Sequence, residues 1–248
     1  MDKIRFVFFG SSKFSEYVLD ELKKTGYEPV LNVTSAKAPL PEIPADTDLC
    51  IVASFGKILP KTYLDIPRLG FINVHPSLLP KYRGPSPIQA QLLDIVCQGV
   101  GVTIIKMDEK MDHGPILAQE KINIEPFPDH YAIVEEKLAR AGGKLLIKVL
   151  ETKPGETPQD HSTATYVKMV KKEDGLLDLN DDPEKNLRKV LAYSTRPGAY
   201  IFFRKKNGEE IRVVVRNAKI IENQFIPTRV IPAGKKEMDW QDFLRGNA

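Results

Sequence analysis

The chain has 248 residues, 42% apolar and 28% charged, which suits a soluble globular protein of one large domain or two modest ones and excludes collagen, coiled-coil and disordered classes. No apolar run nears the length of a membrane-spanning helix, and the N-terminal MDKIRFVFFG lacks the long apolar region and cleavage site of a secretory signal, so a cytoplasmic protein without membrane contact is expected. The formal charge is +3: residues 1–154 balance at 19 Lys+Arg against 19 Asp+Glu, whereas 183–219 hold ten basic residues against three acidic ones.

In chain order, IRFVFFG (4–10) is a continuous apolar run closed by glycine, as expected of a parallel strand buried on both faces. SKFSEYVLDELKKTG follows as a helix, with Phe14, Val18 and Leu22 at helical spacing and a serine cap before them. EPVLNVTS reads as a strand, and Pro39, Pro41 and Pro44 then break the chain into a loop. DLCIVASFG (48–56) and GFINVHPS (70–77) are further buried strands, SPIQAQLLDIVCQG is a helix ended by Gly99, and VGVTIIKM (100–107) and GPILAQEKINI (114–124) are strands. A long helix begins at His130 and contains a glycine pair. KPGETPQDHSTAT lacks periodicity and reads as linker. Beyond it come a short helix in DPEKNLRKVLAYS and two β-rich runs around Asn207-Gly208, a hairpin signal.

Alternating strands and helices give an open, largely parallel α/β sheet of Rossmann-like type in residues 1–154. A linker is expected over 155–171 and a small basic β-rich domain over 172–248. The first strand-to-helix turn, FGSSKFS, has only Gly10 where a dinucleotide fingerprint needs three glycines, and there is no P-loop. Two cysteines, Cys50 and Cys97 in apolar settings, read as buried free thiols. Four scattered histidines add no metal-ligand spacing, so no metal is expected.

Chemistry concentrates in GFINVHPSLLPKYRGPSPIQ (70–89). Asn73 and His75 are two apart on one strand and share a face near its carboxyl end, where open α/β sheets bind ligands. Prolines at 76, 80, 85 and 87 constrain the loop beyond. MDEKMDHGPIL (107–117) adds Asp108 and Asp112 between two strands. An amide donor, an imidazole and a carboxylate together suit acyl transfer to an amine. His113 is open between the site and the surface. His130 reads as a helix-start residue and His161 as a linker residue without a role, while Lys13 reads as an exposed helix lysine. Tyr200, Phe202 and Phe203 read as core.

NVHPSLLPKYRGPSPI followed by GVTIIKMDEKMDHGPIL strongly resembles the folate-dependent formyltransferases, and the likeness runs from FVFFGSSKFS to PAGKKEMDWQDFLRG. The resemblance implies 10-formyltetrahydrofolate as formyl donor. It implies that Asn73 bonds the formyl oxygen, that His75 handles a proton or the oxyanion, and that Asp112 orients His75 and helps move the amine proton. It places Ser54, Phe55, Gly56, Ile58, Leu79, Met107, Asp108 and Met111 at the donor pocket. On the acceptor side it places Gly10, Ser11, Arg83, Gly84, Lys205 and Lys206. Arg83 is open between an anion contact and a loop brace, and Lys205 and Lys206 between phosphate contacts and ordinary surface charge.

ILPKTYLDIPRLGFINVH, TYVKMVKKEDGLLDL and VIPAGKKEMDWQDFLRG resemble the branch that formylates initiator methionyl-tRNA, in which an OB-like basic barrel helps hold the tRNA. A monomer is expected. Amino-sugar N-formylation or formyltetrahydrofolate hydrolysis on the same core is the alternative. The pattern departs from that branch between Ser35 and Asp46, where a short Pro-rich loop replaces a long basic insertion and a β–α unit, and in a compact C-terminal domain.

Overall fold

The computed structural model describes residues 4–97 and 99–247. They form two compact units: the first gathers the described residues up to 87 with 99–124 and 135–168, the second 88–97, 125–134 and the described residues from 169.

The first unit is built on β1 (Phe6–Phe9), α1 (Lys13–Lys24), β2 (Leu31–Val33), β3 (Leu49–Val52), α2 (Lys61–Leu64) and β4 (Phe71–His75). α3 (Pro87–Leu93) lies mostly in the second unit; β5 (Val100–Lys106), β6 (Ile116–Ile122) and most of α4 (Tyr131–Thr152) return to the first. The six strands lie in the order β2-β1-β3-β4-β5-β6. The first four are parallel, while β5 runs antiparallel to β4 and β6 antiparallel to β5. A short connection, 107–115, joins β5 to β6, and only an antiparallel pair can be closed so briefly.

Both faces of the sheet are covered, which is why FVFF and LCIV are apolar throughout. On one face the glycine pair of α4 permits close approach: a Cβ at Gly142 would lie 2.7 Å from Val74, and one at Gly143 would lie 2.6 Å from the Glu21 side chain of α1. The other face carries Val7, Phe9, Cys50, Val52, Phe55 and Phe71 in one cluster, with Tyr63 and Met107 against it. Asn73 and His75 continue the Phe71 face toward the carboxyl end of β4. α1 is started by a capping box in which Ser12 and Ser15 satisfy each other's backbone.

Of the stretch expected to be linker, 155–171, residues 155–168 belong to the first unit. Thr157 exchanges two backbone hydrogen bonds of 2.8 Å with Ile116, Thr165 accepts from Arg83 N–H at 2.9 Å, and Val167 donates to Arg83 at 2.7 Å. Without apolar periodicity, this strap is held by polar bonds that periodicity cannot reveal.

The second unit contains α5 (Pro183–Ala192), β7 (Tyr200–Arg204), β8 (Glu210–Ile221), β9 (Gln224–Pro232), β10 (Met238–Asp239) and α6 (Trp240–Asn247). Its strands form an antiparallel sheet in the order β10-β9-β8-β7. Asn207-Gly208 makes the expected turn, with Gly208 at φ 84°. Glu222 and Asn223 turn a second, longer hairpin, both at positive φ as a two-residue type I′ turn requires. Leu177, Val190, Ile201, Val213, Val215, Val230 and Phe243 make the core, with Phe203 packed on it. Phe202, expected in that core, is 54% exposed because it alternates with Ile201 and Phe203 across the pleat. Arg188 of α5 pairs with Glu184 and donates to the carbonyls of Leu92 and Asp94, capping the end of α3, which stops at Leu93 rather than continuing to Gly99.

Candidate active site

Three loops converge beside Asn73 and His75. One leaves β3 at Ala53–Gly56, next to β4 because Val52 pairs with Asn73. The second leaves β4 itself at Pro76–Gly84. The third is the hairpin tip 107–115: it starts where Met107 N–H donates to the Phe71 carbonyl and folds back along the β4 face. Each loop contains a non-glycine residue in the left-handed region: Ser54 (φ 50°), Tyr82 (φ 61°) and Asp112 (φ 53°). Such conformations cost energy and persist where surrounding bonds impose them.

Those bonds are visible. Asp112 accepts from Gly84 N–H (Oδ2, 2.8 Å) and from Asn73 Nδ2 (Oδ1, 3.4 Å), and its Oδ1 lies 3.5 Å from His75 Nδ1. His75 is buried, and its Nε2 faces the Tyr82 carbonyl at 3.2 Å. The 76–84 loop is fixed from below: Thr103 of β5 donates to the Ser77 carbonyl (2.6 Å) and accepts from Leu79 N–H, and Gln119 of β6 donates to the Leu79 carbonyl (2.8 Å). Asn73, His75 and Asp112, singled out from sequence, therefore stand together.

The other expected positions divide. Ser54, Phe55 and Gly56 form the β3 loop, where the Ser11 hydroxyl donates to the Phe55 carbonyl at 2.9 Å. Phe55, Leu79 and Met107 are packed inward, while Ile58 (81% exposed) and Met111 (55%) stand out into solvent. Asp108 accepts from Lys110 N–H and bonds His113 Nδ1 at 2.8 Å. Gly10 lies under the β1–α1 turn, where a Cβ would meet Ser15 at 2.3 Å.

Arg83 is 1% exposed, and its guanidinium is engaged by protein partners. It donates to Gln159 Oε1 (2.6 and 3.2 Å), His161 Nδ1 (2.9 Å) and Tyr166 Oη (3.2 Å). His161, expected to have no role, thus accepts from Arg83, and its ring stacks on His113 at 4.0 Å. Desolvation first, then His113, Arg83 and Lys110, push its pKa below the ordinary 6.5. Lys205 is engaged by Glu209 at 3.0 Å, and Lys206 is exposed at the hairpin tip. Gln159 was legible only as a polar residue in a loop. Its Nε2 donates to the carbonyls of Asp112 (3.0 Å) and Gly114 (2.7 Å). Among the described residues, no group of His, Cys, Asp and Glu could hold a metal ion.

Residues 41–150 match the formyl transferase family. Over 238 residues the chain is 39% identical to the methionyl-tRNA formyltransferase of Thermotoga maritima, covering 80% of this chain and 75% of that one. The chain belongs to the methionyl-tRNA formyltransferase family. Solved structures share the fold: the methionyl-tRNA formyltransferase from Clostridium thermocellum superposes with a TM-score of 0.71 at 15% identity, covering 95% of this chain and 99% of that one. HypX from Aquifex aeolicus, in complex with tetrahydrofolic acid, gives 0.69 at 17% identity, covering 98% of this chain and 47% of that one. Family membership makes this chain a formyltransferase, and the loops around Asn73, His75 and Asp112 lie within or beside the matched segment.

Proposed function

We propose that Asn73, His75 and Asp112 transfer a formyl group from 10-formyltetrahydrofolate to the amino group of methionyl-tRNA, giving formylmethionyl-tRNA for translation initiation. The carrying observation is the Asp112 carboxylate held between the Asn73 amide and the His75 imidazole. The donor supplies the formyl carbon. In this reading the Ser54–Gly56 loop, Ile58, Leu79, Met107, Asp108 and Met111 hold it.

When the amine nitrogen bonds to the formyl carbon, charge develops on the formyl oxygen. Asn73 Nδ2 can turn from its long bond with Asp112 and donate to that oxygen, with His75 as a second donor. The nitrogen must then lose a proton, and Asp112 is the acceptor beside it. Breaking the old carbon–nitrogen bond returns an electron pair to the donor nitrogen, which takes up a proton delivered through the same carboxylate and imidazole. The attacking amine must be neutral, so the rate rises with pH until that amine is fully deprotonated.

Asn73→Ala removes an oxyanion donor and should lower kcat about 100- to 1,000-fold. Asp112→Ala should abolish most turnover, with both variants folded by circular dichroism. A wild-type rate in either removes that residue from the mechanism.

A further inference from the structure

We infer that Gln159, held by Arg83, is a positioning residue that sets the backbone of Asp112 and thereby aims its carboxylate at Asn73 and His75. The inference rests on the proposed role of Asp112 in catalysis. An aspartate at φ 53° occupies a region that L-residues rarely adopt, so something outside the residue must hold it there. Its carboxylate is held from one side by Gly84 N–H, and its main chain is held from the other by Gln159. One amide spans the loop's descending limb, donating to the carbonyls of Asp112 and Gly114.

The orientation of that amide is itself fixed. An arginine only donates, so the Gln159 atom facing Arg83 must be the oxygen, and the nitrogen must face the two carbonyls. Gln159 is buried, and Arg83 is flanked by His161 and Tyr166 on the same strap. Arg83 also precedes Gly84 in the chain, so one buried guanidinium braces both supports of Asp112: the Gly84 amide directly behind it and the Gln159 amide in front. The stacked His161 and His113 rings tie the same strap to the same loop a second time.

The decisive substitution is Gln159→Glu. A glutamate keeps the size and the bonds to Arg83 but sets a carboxylate oxygen against two carbonyl oxygens. Transfer of labelled formyl from 10-formyltetrahydrofolate to methionyl-tRNA is measured for Gln159→Glu and Asp112→Asn, singly and combined, under single-turnover and steady-state conditions. Misplacement of Asp112 should lower kcat by about 10- to 100-fold, with KM for both substrates within about twofold of wild type. In the Asp112→Asn background, the same change should cost less than about threefold, because the group it positions is already gone. If melting shows Gln159→Glu unfolded at the assay temperature, Gln159→Ala takes its place with the same expectation. Wild-type kcat in the Gln159 variants beside an impaired Asp112→Asn overturns the inference, as do fully additive losses or a rise confined to KM. An active Asp112→Asn enzyme overturns the catalytic reading of Asp112 itself, a result seen without any Gln159 variant.

Discussion

Asp112 shows how little of a site can reside in one side chain. Its carboxylate touches three partners, from β4 and the loop after it, and its main chain is bound by a fourth, Gln159 on the strap. His161 makes part of this support sensitive to pH. As the acceptor of an arginine bond it must carry a bare Nδ1, so the folded state favours its neutral form. Its folded pKa lies below the unfolded value near 6.5, so the support is intact above that value and is lost as pH falls from there through the lowered folded value. Arg83, His113 and Lys110 oppose protonation, while Asp108 and Asp160 favour it. Melting temperature should therefore fall between pH 7 and 5.5 more steeply in wild type than in His161→Gln, whose amide oxygen accepts from Arg83 without titrating. Equal slopes would show that His161 carries no such linkage. The sequence made Asn73, His75 and Asp112 legible because two of them alternate on an apolar strand and the third sits in an acidic loop before glycine. Gln159 and His161 left no such trace, since a bond between residues dozens of positions apart has no period.

At the scale of elements, the hairpin 107–115 decides where the site can form. Lys106 N–H donates to the Pro115 carbonyl and closes its neck, and Gly114 fills the space under that neck. A Cβ at Gly114 would lie 1.9 Å from the Lys106 carbonyl oxygen, which is backbone and cannot swing away. Gly114→Ala should cost about 1–3 kcal/mol in a denaturant titration and lower kcat beyond what that loss explains, since Asp112 is two residues away. Unchanged stability would mean that the neck opens freely. The strand pattern was readable because burial on both faces demands unbroken apolar runs. The reversal of β5 and β6 was not, because an apolar run is the same in either direction and only the brevity of 107–115 distinguishes them. Likewise, the turn at Asn207-Gly208 is announced by its glycine, whereas the tighter two-residue turn at Glu222-Asn223 forms without one.

At the scale of the whole molecule, the basic stretch 183–219 lies in the second unit, and the structure sorts its charges. Arg188, Lys189, Arg212 and Arg216 serve carbonyls, Glu184 or the Tyr200 ring. Arg196, Arg204, Lys206 and Lys219 are exposed, and these are the charges available to a polyanion. If they meet tRNA phosphates, log KM for the tRNA should rise with log salt, and each charge removed by Lys206→Ala, Lys219→Ala or Arg204→Ala should lower that slope by about one. An unaltered slope would assign these residues to a solvated face. The role of the formyl centre itself is best tested by offering wild-type protein labelled 10-formyltetrahydrofolate with methionyl-tRNA, with uncharged tRNA, and with no acceptor. Label should appear on the methionyl amine and nowhere else; donor breakdown at the same rate in all three reactions would contradict a transferase acting on methionyl-tRNA.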